Sequence, residues 1–132
     1  MPRLDRRELA AVFLGGAGGA LLRVAVSRAF PASGSSWPWV TFTINVTGSF
    51  ALGYLMTRLQ ERLPITTYQR PLVGTGFCGA YTTFSTMQVE LLGMLDHRRY
   101  GLAIGYATVS LLAGYLAVYA ATAMVRRVRI VL

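Results

Sequence analysis

The chain has 132 residues, thirteen of them basic and all of these arginine, with five acids, for a formal charge of +8. Hydrophobic residues make up 54% and charged residues only 14%, against roughly 25% charged in an ordinary soluble domain, and mean hydropathy is +0.47. These values argue against a soluble globule and for a single domain, and the lone Cys78 leaves no partner for an intrachain disulfide or a cysteine metal cluster.

Charge is confined to the ends and to short gaps between four mostly apolar stretches, 9–30, 37–56, 72–95 and 100–125. Each holds about 20 to 26 residues, enough for a helix to cross a hydrocarbon core of roughly 30 Å. The expectation is an all-α membrane protein of four transmembrane helices in one domain, 1–132. The arginines sit at helix ends, where they reach lipid headgroups, so the basic charge reports bilayer topology and not nucleic-acid binding.

The first stretch follows the charged run Arg3 to Glu8. Its length and Arg23 favour a permanent span over a cleaved signal peptide. Gly15 and Gly19, with Gly16 and Ala20 beside them, form a small-residue face that lets another helix approach closely. After the polar loop Pro31 to Ser36, the second stretch opens on Trp37, Pro38 and Trp39, an interfacial aromatic pair around a proline. It carries Thr41, Thr43, Asn45, Thr47 and Ser49 inside the span; Asn45 and Ser49, four apart, share a face. Asn45-Val46-Thr47 spells a glycosylation acceptor, which is out of reach at mid-membrane.

A charged connector from Arg58 to Arg70 precedes the third stretch, which enters on Pro71 and runs Gly74-Thr75-Gly76-Phe77-Cys78-Gly79-Ala80-Tyr81-Thr82-Thr83-Phe84-Ser85-Thr86-Met87. Glycine and β-branched threonine both weaken a helix, so a break is expected here, exposing carbonyls that a cation could hold. Gly74, Gly76 and Gly79 also fit G-x-G-x-x-G, but no strand precedes them and the match is rejected. Glu90 is a single intramembrane acid, and His97 lies in the short turn Asp96 to Arg99, which makes the third and fourth spans antiparallel. In the fourth, Tyr106, Ser110 and Gly114 fall at i, i+4 and i+8, two hydroxyls and a gap.

Four spans put both termini on one side. Nine arginines (Arg3, Arg6, Arg7, Arg58, Arg62, Arg70, Arg126, Arg127, Arg129) share that side against Arg23, Arg28, Arg98 and Arg99 opposite, leaning toward cytoplasmic termini. One thin bundle hardly encloses a substrate path alone, so an oligomer is expected.

No catalytic constellation is visible, so no enzyme is expected. Polar groups inside a span either glue helices or line a passage. Asn45, Ser85, Thr86, Tyr106 and Ser110 would supply neutral hydrogen-bond donors, with no lysine and no arginine beyond Arg23. Such donors suit a fast anion path, because a buried cation would hold the anion too tightly. The positive ring edge of Phe84 could assist.

The runs Gly15-Gly16-Ala17-Gly18-Gly19-Ala20-Leu21-Leu22-Arg23, Thr43-Ile44-Asn45-Val46-Thr47-Gly48-Ser49-Phe50 and Gly76-Phe77-Cys78-Gly79-Ala80-Tyr81-Thr82-Thr83-Phe84-Ser85-Thr86 resemble the CrcB/Fluc family of fluoride channels over nearly the whole chain. The resemblance implies an antiparallel, dual-topology homodimer in a prokaryotic cytoplasmic membrane, exporting fluoride passively through two pores, with a structural sodium ion between the copies. It matches Asn45 to a pore asparagine and Phe84 to the first of two pore phenylalanines. Ser85, Thr86, Tyr106 and Ser110 match the hydroxyl track, Glu90 an acid along it and Arg23 the vestibule arginine. The backbone carbonyls of Gly79 and Thr82 match the sodium ligands. Two positions depart from the pattern: Met87 stands at the second phenylalanine and Ala80 at the second glycine of a pair. The alternative is a small proton-coupled four-span transporter, for which Glu90 would be the only intramembrane acid.

Overall fold

The computed structural model describes residues 5–30, 37–62 and 68–131, and within them the chain is helical with no strand. Helix α1 runs Arg6–Ala29. Asp5 caps it, its side chain accepting from the Arg7 amide at 2.9 Å, while Glu8 in the first turn and Arg28 in the last complement the helix dipole. The loop Pro31 to Ser36 lies outside the described residues.

Helix α2 runs Trp39–Arg62. It therefore takes in Arg58 to Arg62, expected in the connector; these residues form helices well, and the next breaker is Pro64. Pro64 itself lies outside the described residues. Helix α3 is π-helical over Pro71–Cys78 and closes in one α-turn, Gly79–Tyr81. Thr82 and Thr83 are extended (φ −72°, ψ 153° and φ −141°, ψ 108°). Helix α4, Phe84–Asp96, then starts on Thr83 as N-cap. The turn to α5, Tyr100–Val131, places Arg98 at φ 56°, in the left-handed region.

Among the described residues, α1 and the Tyr100–Arg127 part of α5 are long and apolar enough to cross a membrane. The molecule is apolar outside: Phe13, Leu21, Val89, Ile104 and Leu111 are all exposed. An apolar surface on that scale needs lipid or protein against it.

Two helix pairs hold the chain together. On α1, Gly15 backs onto the Leu72 carbonyl and Gly19 onto the Phe77 carbonyl, so a Cβ at either would collide with α3 backbone. Gly76 returns the contact, since a Cβ there would sit 2.7 Å from the Val12 carbonyl oxygen. The small-residue face expected on the first span is thus a packing face.

Helix α2 lies along α5 in parallel, with Ser49, Gly53, Thr57 and Glu61 each meeting the residue 65 further on. Arg126 Nε bonds Glu61 Oε1 at 3.3 Å and the Thr57 and Thr122 hydroxyls are 3.4 Å apart. A Cβ on Gly53 would be 3.0 Å from the Val118 oxygen, and one on Gly114 would be 3.6 Å from Ser49 Oγ. At the other end Met87, Met94, Ala103 and Tyr106 form a buried cluster, covered by Trp37, Phe42, Leu91 and Leu102. Trp37 meets Tyr106 edge-to-face at 5.4 Å.

Candidate functional site

The site forms where α2 and α5 meet the start of α4. Thr41 and Asn45 share one face of α2, and Tyr106 and Ser110 one face of α5. Glu90, near the middle of α4, joins the two helices. Thr41 Oγ1 donates to Glu90 Oε1 at 2.6 Å, and the Tyr106 hydroxyl donates to Glu90 Oε2 at 2.7 Å. Thr41 is 5% exposed and Tyr106 fully buried. Glu90 is half-buried, and each of its carboxyl oxygens has one hydroxyl donor.

Asn45 reaches the segment between α3 and α4. Its Nδ2 donates to the Thr83 carbonyl at 3.1 Å, and the Thr83 amide donates to Asn45 Oδ1 at 2.8 Å. One side chain thus satisfies both backbone groups of a residue that is 5% exposed and outside any helix. The Thr83 hydroxyl accepts from the Thr86 amide at 3.2 Å and donates to Thr86 Oγ1 at 2.9 Å, with Ser85 Oγ at 3.5 Å. Thr82 turns back, its amide and hydroxyl both donating to the Cys78 carbonyl at 3.0 and 2.9 Å.

These bonds redirect two helical donors. In an unbroken helix the Thr83 amide would serve the Gly79 carbonyl and the Thr86 amide the Thr82 carbonyl. Here the first goes to Asn45 and the second to the Thr83 hydroxyl.

Asn45, Glu90, Tyr106, Ser85 and Thr86 thus belong to hydrogen-bonded clusters on adjoining elements. Ser110 sits one turn beyond Tyr106; its Oγ is shielded and has no hydrogen-bond partner among the described residues. Met87 is 7% exposed and packs in the cluster that buries Tyr106. Phe84 is not brought in: its ring is 68% exposed on the chain. Arg23 is half-buried on α1, a helix that packs chiefly against α3.

Two residues of the site, Thr41 and Thr83, go beyond the sequence-derived set. Thr41 extends the Asn45–Ser49 face by one turn, a signal open to the same spacing argument. Thr83 acts through its backbone and as a cap, which shows only once the helix start is located.

A chain that is largely helical over its described residues, apolar outside and carrying hydroxyls, an amide and an acid inside has the build of a membrane protein that handles a small polar species. The family model described as CrcB-like protein, Camphor Resistance (CrcB), matches residues 10–122, and the chain belongs to that family. It is 59% identical over 130 residues, 98% of either chain, to "Fluoride-specific ion channel FluC 1" of Mycolicibacterium paratuberculosis. It is 58% identical, over the same share of both chains, to the protein of that name in Mycobacterium bovis. Identity is 39% to "Fluoride-specific ion channel FluC 2" of Nocardia farcinica, covering 96% of this chain and 90% of that one. These names describe channels, not enzymes.

Proposed function

We propose that this chain is a passive fluoride channel of a prokaryotic cytoplasmic membrane, crossing the bilayer four times and acting as an antiparallel, dual-topology homodimer with two pores. The observation that carries the reading is 59% identity, over 98% of both chains, to a protein named a fluoride-specific channel. The site chemistry supports it. Fluoride is small and strongly hydrated, so an apolar passage must replace its water with donors, and those donors must be neutral for release to be fast. Asn45, Ser85, Thr86, Tyr106 and Ser110 are neutral donors. Glu90 sets the threshold, because the protons of Thr41 and Tyr106 point at its oxygens, and an arriving anion competes with the carboxylate for them. Met87 contributes a polarizable wall, and Arg23 draws anions toward the vestibule.

The exposed ring of Phe84 supports the homodimer, since a second copy would cover it and take its ring edge into a shared pore. A structural sodium ion fits the backbone between α3 and α4, where Gly79 and Thr82 have had their helical donors redirected. Oxygen ligands of that kind suit a hard cation, and two copies would offer four. Bound there, sodium would supply a fixed charge that ties the two copies together.

The test is fluoride efflux, read with an electrode, from liposomes holding the purified full chain. Rapid fluoride release with little chloride release is expected, and Asn45→Asp should slow it; liposomes that release no fluoride overturn the proposal. Labelling of engineered termini in cells should reach them from both faces. Termini found on one face only would remove the dual topology.

A further inference from the structure

We infer that Ser49 is a further ion-contacting hydroxyl of the path, standing in for the side chain that α5 lacks at Gly114; the inference rests on the channel reading above. On α2, Thr41, Asn45 and Ser49 recur every four residues, and on α5 so do Tyr106, Ser110 and Gly114. The shared register of 65 sets these stripes level, residue by residue, along the α2–α5 seam. The first level is hydroxyl on hydroxyl, with Thr41 and Tyr106 held by Glu90. At the second the same register sets Asn45, whose amide is engaged by Thr83, level with Ser110, whose shielded Oγ has no hydrogen-bond partner among the described residues and is left with a proton to donate.

At the third level α5 offers no side chain. A Cβ added at Gly114 would meet Ser49 Oγ at 3.6 Å, an ordinary contact, so the serine hydroxyl faces the space that a residue at 114 would enter. One turn on, the seam closes: a Cβ on Gly53 would sit 3.0 Å from the Val118 oxygen and 3.1 Å from its Cα. Ser49 is therefore the last hydroxyl before backbone meets backbone, and the gap opposite it leaves room for a small anion. A donor at that point hands the ion on from Ser110, whereas an apolar side chain would strip it of a partner at the narrowing.

The experiment measures fluoride efflux from liposomes carrying the wild type, Ser49→Ala, and Ser49→Ala combined with Gly114→Ser, each checked for a monodisperse peak on size exclusion. Loss of one hydrogen bond to the ion is expected to slow efflux about tenfold in Ser49→Ala. Moving the hydroxyl across the seam, in the double variant, should restore most of the rate, which a packing role for Ser49 does not predict. Unchanged efflux in Ser49→Ala overturns the inference, as does failure of the double variant to recover. If the alanine variant does not fold, Ser49→Cys, close in size with a poor donor, carries the same expected loss. A wild type that carries no fluoride sinks the channel reading instead, so the two failures are told apart.

Discussion

Replacing Asn45 with alanine removes two hydrogen bonds that tie α2 to the segment between α3 and α4: the bond from Nδ2 to the Thr83 carbonyl and the bond from the Thr83 amide to Oδ1. Thr83 is 5% exposed, so no solvent steps in. Interhelical hydrogen bonds in membranes average about 0.6 kcal/mol and reach about 1.7 kcal/mol, while a polar group left unpaired costs about 1–3 kcal/mol. One relief exists, because the freed Thr83 amide can return to the Gly79 carbonyl and extend the helix. The Thr83 carbonyl, belonging to the N-cap of α4, keeps the first helical bond from the Met87 amide and loses its second partner. The expected net loss is about 1–3 kcal/mol, measured by reversible denaturant unfolding in micelles. Asn45→Asp keeps the acceptor for the Thr83 amide but turns an oxygen toward the Thr83 carbonyl, and should cost at least as much. A loss below about 0.5 kcal/mol for the alanine variant would refute the assignment of Asn45 as the clamp on this segment.

Gly19→Ala drives a methyl into the Phe77 carbonyl; a loss of about 2 kcal/mol or more is expected in the same unfolding assay. Gly16→Ala is the control: its Cβ would meet nothing nearer than the Gly76 oxygen at 3.8 Å, and stability should hold within about 0.5 kcal/mol. Phe84→Ile should leave the fold of the single chain within about 0.5 kcal/mol, since the ring is 68% exposed, yet cut fluoride efflux sharply; equal efflux would remove the ring from the pore. Replacing sodium by a large organic cation should lower both dimer stability and efflux, measured by dimer dissociation in detergent and by the electrode. Identical behaviour in the two media would set the sodium proposal aside.

Much of the helical layout was legible because apolar runs bounded by arginine leave a chain few choices, and Gly15 and Gly19 announced a close helix contact through their spacing. The sequence also singled out Asn45, Glu90, Tyr106 and Ser110, since polar groups in apolar runs are conspicuous. Their partners were not legible. Thr41 and Glu90 are 49 residues apart, and Asn45 and Thr83 are 38 apart; no local pattern records such pairings. The register of α2 on α5 is hidden for the same reason, because Gly53 and Thr57 look unremarkable until Val118 and Thr122 lie beside them. Helix α2 runs on through Arg58 to Arg62, where charge alone reads as a connector, because arginine is a good helix former. Phe84 and Met87 are grouped by the family resemblance and not by any local pattern, and only Met87 is covered by its own chain.

The parallel setting of α2 and α5 has an electrical consequence. Neighbouring antiparallel helices cancel each other's dipoles, but these two add, gathering positive partial charge near Trp39 and Tyr100 and negative partial charge at their far ends. The seam is therefore a built-in voltage slope, attractive to anions where the aromatic residues stand. Arg58, Arg126 and Arg127 lie toward the opposite end and level part of that slope. In two copies set head to tail the slopes run in contrary senses, so the pair as a whole would favour neither direction of flow.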